Sequence, residues 1–305
     1  MDLFVAIMVN VAAASTPLVF AAMGELVVEK SGVLNLGVEG MMLMGAIAGF
    51  AAGYASGSML IGIIVAGIAG GLLALLFGFL TQHLLANQVA TGLALTIFGI
   101  GISAMVGHSF VGISLDPIAK GIPFLEDIPV IGKLFFGHDI LVYASFVMTA
   151  LVFYFLYKTR AGLILRAVGT NHDAAHSIGY SVIKIRYMAI VFGGAMAGIG
   201  GAYLSMAVNP MWVEEMTAGR GWIALALVVF ATWRPGRVLV GAYLFGGISI
   251  LQLNLQAMGV TIAPQLLAML PYLVTIAVLV IISRDSGLMK KHAPACLGKI
   301  FHASS

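Results

Sequence analysis

Long apolar runs, interrupted at intervals by short clusters of glycine, proline and charge, make up most of this chain. A helix that crosses a bilayer needs about 20 mostly apolar residues, because each adds about 1.5 Å against a hydrocarbon core of about 30 Å. Runs that meet or approach this length lie at 3–24, 33–54, 58–82, 88–107, 139–157, 187–208, 218–233, 237–257 and 265–283. The pattern predicts an all-α polytopic membrane protein, one transmembrane domain over 1–305 with roughly eight to ten spans. The run at 218–233 is short and carries Arg220 near its start, which reads as a half-helix. Met1-Asp2-Leu3 leads straight into apolar sequence without the basic region and cleavage site of a signal peptide, so the first run is expected to be a permanent span.

Basic residues orient these runs. Lys158, Arg160, Arg166, Lys184 and Arg186 flank one connection, Arg234 and Arg237 another, and Arg284, Lys290, Lys291 and Lys299 mark a tail at 284–305. Under the positive-inside rule all three are cytoplasmic, and two crossings separate each from the next. The connection at 108–138, with Asp116, Glu126 and Asp127 against Lys120 and Lys133, then falls outside, and its prolines at 117, 123 and 129 discourage another long helix. Nine spans with a cytoplasmic tail put the N-terminus outside; one re-entrant segment reverses that.

Composition supports the class. Hydrophobic residues are 61% of the chain and charged ones 9%, against about 25% charged in a globular domain. Mean hydropathy is +1.08. The 38 glycines suit helices packed closely in lipid. A net charge of +3 follows from positive-inside loops and does not indicate nucleic acid binding. Cys296 is the only cysteine, which excludes a disulfide framework and fits a reduced compartment.

Polar residues near lipid are costly and need a reason. Residues 24–40 (GELVVEKSGVLNLGVEG) put Asn35 and several glycines before Glu39, which falls in the first turn of the next helix, where a carboxylate complements the dipole. This is either a broken-helix element beside a translocation path or a capped connection. From Asn209-Pro210 to Trp222, Glu214 and Glu215 are placed to pair with Arg220 at an outer mouth, or form a solvated loop with an interfacial tryptophan. Asn10, Ser15, Thr16, Thr91, Thr96, Gln252, Asn254 and Gln256 suit a path for a neutral solute, or hydrogen bonding between helices.

The densest polar island is Arg166-Ala-Val-Gly169-Thr-Asn171-His172-Asp173-Ala174-Ala175-His176-Ser-Ile-Gly179. His172 and His176 have i, i+4 spacing but no third ligand nearby, so no metal site is expected. Residues 171–178 read as a short amphipathic helix lying flat, with Asn171 capping it and Gly179 ending it, a docking element for a soluble partner. There is no G-x-x-x-x-G-K-[S/T] motif, no nucleophile constellation and no buried acid–histidine chain in the spans, so the energy source is expected in a partner.

GELVVEKSGVLNLGVEGMMLMGA at 24–46, RAVGTNHDAAHSIGYS at 166–181 and GRGWIALALVVFATWRPGRVLVGAYLFG at 219–246 together resemble the permease subunits of bacterial ABC importers of the ribose and branched-chain amino acid group. Within it the resemblance is to permeases for simple sugars or nucleosides that work with a basic membrane lipoprotein. It runs over nearly the whole chain. It implies a type II importer fold with inverted halves, and a non-enzymatic subunit of the bacterial inner membrane. The implied partners are an ABC ATPase that binds ATP and magnesium, a second homologous permease or a second copy, an extracytoplasmic lipoprotein and membrane lipid. No cofactor is implied in this chain.

By position, Arg166, Gly169, Asn171, Asp173, Ala174, Ala175 and Gly179 fall on the family's coupling segment, expected over 166–181. Asn35, Glu39, Thr91, Arg220, Trp222 and Asn254 are the candidates for the translocation pathway, and the inverted halves imply that the helix starts at Glu39 and at Gly221-Trp222 are related by pseudo-symmetry near the midplane. Two departures stand out: His172 where relatives often have proline, and Thr232-Trp233 in place of a small residue and glycine before Arg234-Pro235. The expected solute is a nucleoside, with a sugar or branched-chain amino acid as alternative; a stand-alone carrier or channel is the reading from another class.

Overall fold

The computed structural model describes residues 2–116, 121, 131–258, 263–283 and 292–302. The expectations for Lys120, Glu126, Asp127, the prolines at 117, 123 and 129, and Arg284, Lys290 and Lys291 lie outside the described residues. The described residues are helical apart from one isolated β-bridge between Ser114 and Met211 and the connecting turns. The helices are α1 (Asp2–Lys30), α2 (Val38–Ser56), α3 (Met59–Gly78), α4 (Gln88–Gly107), α5 (Ile131–Phe136), α6 (Ile140–Lys158) and α7 (Arg160–Thr170). They continue with α8 (His172–Ser177), α9 (Val182–Tyr203), α10 (Arg220–Phe230), α11 (Pro235–Ala257), α12 (Pro264–Ala268) and α13 (Leu270–Ser283). Among the described residues seven helices, α1, α2, α3, α4, α6, α9 and α11, are long and apolar enough to cross a membrane, α3, α4 and α9 with short helical extensions. The fold is thus an all-α multi-pass bundle.

The first helix does not stop at Gly24. It runs on to Lys30 because Gly24 is a packing position: a Cβ there would lie 2.7 Å from the Met196 side chain and 2.8 Å from the Gly193 carbonyl. The break falls at Gly32, whose φ of +89° only glycine adopts without strain. Around this helix, α2, α3 and α9 form the core, and small residues set their spacing. Gly45 packs on Gly198, Gly70 on Gly194, and Gly201 on the Met42 carbonyl, each too close to admit a side chain. Both α3 and α9 end in a π turn, Phe79–His83 and Leu204–Val208.

One end of the bundle collects the basic groups. There Lys30 meets α7 and His292, Arg186 meets Ser31, and Arg234 meets His292. At the other end Asp139 caps α6 and accepts the Tyr203 hydroxyl at 2.7 Å. The chain alternates between these ends, starting away from the basic end. The run at 218–233 forms only the 11-residue α10, about 16 Å long, which starts half way through the bundle. The connection between Lys158 and Arg186 holds more than α8: α7 occupies its first part, an amphipathic helix that buries Leu165 and Val168 and stacks Arg166 on Tyr157 at 5.1 Å.

Candidate functional site

Two places gather the functional candidates. The first is a junction of helix starts at mid-height. Asn35 is fully buried, and its side-chain oxygen accepts from the Gly37 amide at 2.9 Å, bending the chain into α2. Gly40 then fits against the middle of α4, where a Cβ would lie 2.6 Å from the Leu95 carbonyl. Glu39 lies in the first turn of α2 and is 5% exposed, yet its carboxylate does not serve that helix alone. One oxygen accepts from the Thr217 hydroxyl at 2.6 Å and the Gly219 amide at 2.8 Å; the other accepts from the Gly221 amide at 2.6 Å. The two amides are donors that the start of α10 cannot pair within its own helix, so Glu39 caps a helix from the other half of the chain. Gly221 is required by this approach: a Cβ would lie 2.5 Å from the Glu39 backbone.

Arg220 does not pair with Glu214 or Glu215, which are exposed. Its guanidinium donates to the Met216 and Thr217 carbonyls at 3.1 and 3.2 Å, with the Glu39 carboxylate and Tyr272 nearby. The structure thus brings Asn35, Glu39 and Arg220 together, with Trp222 in the first turn of α10 and half-open to the surroundings. Thr91 lies beside Gly92, which packs on the Leu36 and Gly37 backbone. Asn254 turns to its own helix instead, donating to the Ile250 carbonyl within α11 at 2.8 Å.

The second place is the basic end. Asn171 accepts from the Ala174 amide at 3.0 Å and starts α8, and Gly179, at φ +93°, turns the chain out of it. Asp173, Ala174, His176, Ser177 and Ile178 are exposed, whereas Ala175 is buried. Gly169 holds the element against α1: its α-carbon leaves no room for a side chain beside the Lys30 carbonyl. The histidine at 172 has a defined role. Arg186, fully buried, brings a guanidinium nitrogen to 3.1 Å from His172 Nδ1. A guanidinium can only donate, so Nδ1 accepts and the ring is neutral, with Nε2 toward Asp173 at 3.6 Å. Burial first, and Arg186 next, push the His172 pKa below its ordinary value against the opposing pull of Asp173.

Sequence reasoning used Arg186 only to mark orientation. Its position in the second turn of a span was the available signal, since a buried charge requires partners. Its other partners are the Ser31 carbonyl, the Gln82 side chain in the first π turn and the Lys299 carbonyl. The Thr217–Glu39 and Trp233–Glu29 hydrogen bonds were also missed, because nothing in the local pattern links residues so far apart.

Two cavities open elsewhere. One of about 790 Å³ lies between α6, α7 and α9 with almost wholly apolar walls; one of about 560 Å³ lies at the turn between α2 and α3, away from the basic end. Neither includes Glu39, Arg220 or Trp222.

A glycine-packed bundle of apolar helices, with helix starts meeting at mid-height and a short exposed helix at its basic end, is the architecture of a multi-pass membrane protein. The chain belongs to the family described as branched-chain amino acid transport system / permease component, whose model matches residues 7–282. It is similar to a putative glucose ABC transporter permease of Haloferax volcanii, 40% identical over 87% of this chain and 88% of that one. It is also similar to a nucleoside ABC transporter permease of Lactococcus lactis, 31% identical over 90% of each chain. A guanosine ABC transporter permease of Bacillus subtilis is 30% identical over 87% of this chain and 88% of its own. The protein is therefore an ABC transporter permease subunit, a multi-pass protein of the inner membrane.

Proposed function

We propose that this permease is the non-catalytic half of an ATP-driven importer for a nucleoside. The observation that carries the mechanism is the exposed, capped α8 at the basic end, tied through Gly169 and Arg186 to the core. In this reading the basic end faces the cytoplasm and the N-terminus lies outside. An ABC ATPase, holding the ATP and magnesium for which this chain has no P-loop, docks on residues 166–181, with Arg166, Gly169, Asn171, Asp173, Ala174, Ala175 and Gly179 shaping the contact. An extracytoplasmic lipoprotein delivers solute at the other end. A second permease, a homologue or another copy, closes the pathway along the side where Arg220 and Trp222 approach the surface; Thr91 and Asn254 extend the polar positions along α4 and α11.

The nucleoside assignment is supported by the names of two relatives that match over nearly the whole chain. A sugar is the second reading, favoured by the relative at 40% identity. Both solutes are neutral and rich in hydroxyls, which suits a junction where the Glu39 carboxylate is already satisfied. Uptake of labelled guanosine and glucose, measured with and without this chain and with the ATPase inactivated, tests both levels. Guanosine uptake that needs both proteins is expected. Glucose uptake alone supports the second reading, and uptake that survives loss of the ATPase overturns the mechanism.

A further inference from the structure

Residues 292–302 do not hang free below the bundle. The Lys30 ammonium donates to the His292 carbonyl at 2.7 Å, and the Arg234 guanidinium donates to the His292 ring at 2.8 Å. The Cys296 amide donates to the Gly169 carbonyl at 2.9 Å, and the Gly298 amide to the Gly32 carbonyl at 3.1 Å. Arg186 donates to the Lys299 carbonyl at 3.2 Å. Phe301, 5% exposed, stands between the His172 and His176 rings, 5.3 Å from each, and packs on Val168, Ala175 and Val182. Cys296 is buried too. The segment therefore touches α1 at Lys30, the turn after it at Gly32, the end of α7 at Gly169, α8 through both histidines, and α9 through Arg186.

We infer that residues 292–302, through Phe301 and the Arg186 hub, are the positioning strap that makes α8 and the lower end of α1 one rigid body. This inference rests on α8 being the element that an ATPase drives. An exposed six-residue helix has little stability of its own, and a push on it is absorbed unless its inner face is fixed. The strap fixes that face. Displacement of α8 then passes to the Gly32 turn, and from there along the chain to Asn35, whose amide donates to the Glu25 carboxylate of α1 at 3.3 Å. Asn35 in turn holds the Gly37 amide at the entry to α2, two residues before Glu39 and its bonds to α10. The strap thus supplies a route from the basic end to the middle of the bundle.

The test uses the assembled transporter in liposomes, with variants Phe301→Ala and a chain ending at residue 291. The expected result is that both still assemble with the ATPase and hydrolyse ATP at the basal rate, while solute-stimulated hydrolysis and uptake fall by about tenfold. Full stimulation and uptake in both variants overturns the inference. Loss of assembly in both overturns it as well, because the strap then serves assembly and not coupling. A second readout needs no destabilising change: spin labels at Ser177 and His302, both exposed, should keep one distance with and without a non-hydrolysable ATP analogue. A distance that changes between those states refutes the rigid body. If α8 is not driven by an ATPase, the unmodified protein itself shows no stimulated hydrolysis, which separates failure of that reading from failure of the strap.

Discussion

At Glu39 a single carboxylate satisfies three donors from a helix start more than 170 residues away in sequence. Removing it leaves these donors buried and unpaired, whereas an amide still accepts from some of them. Glu39→Ala is therefore expected to destabilise the permease by about 3 kcal/mol and Glu39→Gln by less, read as midpoints of thermal unfolding in detergent. Gly221→Ala forces the two backbones apart and should cost about 1–3 kcal/mol in the same measurement. At the basic end, His172 is neutral and faces Arg186 from α9, Asp173 from α8 and Lys299 from the strap, with the Phe301 ring against it. Its pKa is lowered on folding, so the folded form binds fewer protons and is penalised as pH falls below the ordinary histidine value of about 6.5. Contacts at this site are complete above that pH. Labelling of the buried Cys296 by a thiol reagent, normalised to His172→Gln at each pH, should rise below about pH 6.5 and stay flat above it.

Among the elements, the turn between α10 and α11 shows what a local departure costs. Thr232 and Trp233 have φ of +50° and +53°, a region that favours glycine. The strain is offset by specific bonds: Arg237 donates to the Thr232 hydroxyl at 2.6 Å, and the Trp233 indole donates to Glu29. Trp233→Phe should thus lower stability by about 2 kcal/mol despite its apolar character, because it leaves a buried carboxylate without its donor. Gly169→Ala should abolish transport, since its side chain would collide with the Lys30 carbonyl, while Gly236→Ala, with open space around it, should leave uptake unchanged. Much of this level was legible in the sequence. The long helices follow from apolar length, the half-helix from the shortness of 218–233, and the start and end of α8 from Asn171 and Gly179. Legibility failed where local pattern competes with packing. Gly24 looks like a breaker but is a contact point, α7 is too polar to stand out between spans, and the strap's contacts join residues distant in sequence.

For the whole molecule, the described helices of one chain place Arg220 and Trp222 at the edge of the junction and leave both described cavities away from it. A pathway completed by a second subunit has a direct consequence. Trp222→Cys, in a Cys296→Ala background, should react with a thiol reagent in the isolated chain and become protected by at least about tenfold in the assembled transporter. Equal labelling in both states would place the pathway elsewhere. The capped half-helix also bears on how the protein is made. At about 16 Å, α10 reaches half the thickness of the hydrocarbon, too short to partition into lipid as a span on leaving the ribosome. Two amides at its start, those of Gly219 and Gly221, are held by Glu39, which was synthesised some 180 residues earlier. Insertion of α10 therefore depends on the first half of the chain: α2 must already stand in the membrane, with Glu39 free to accept, before the second half can close onto it.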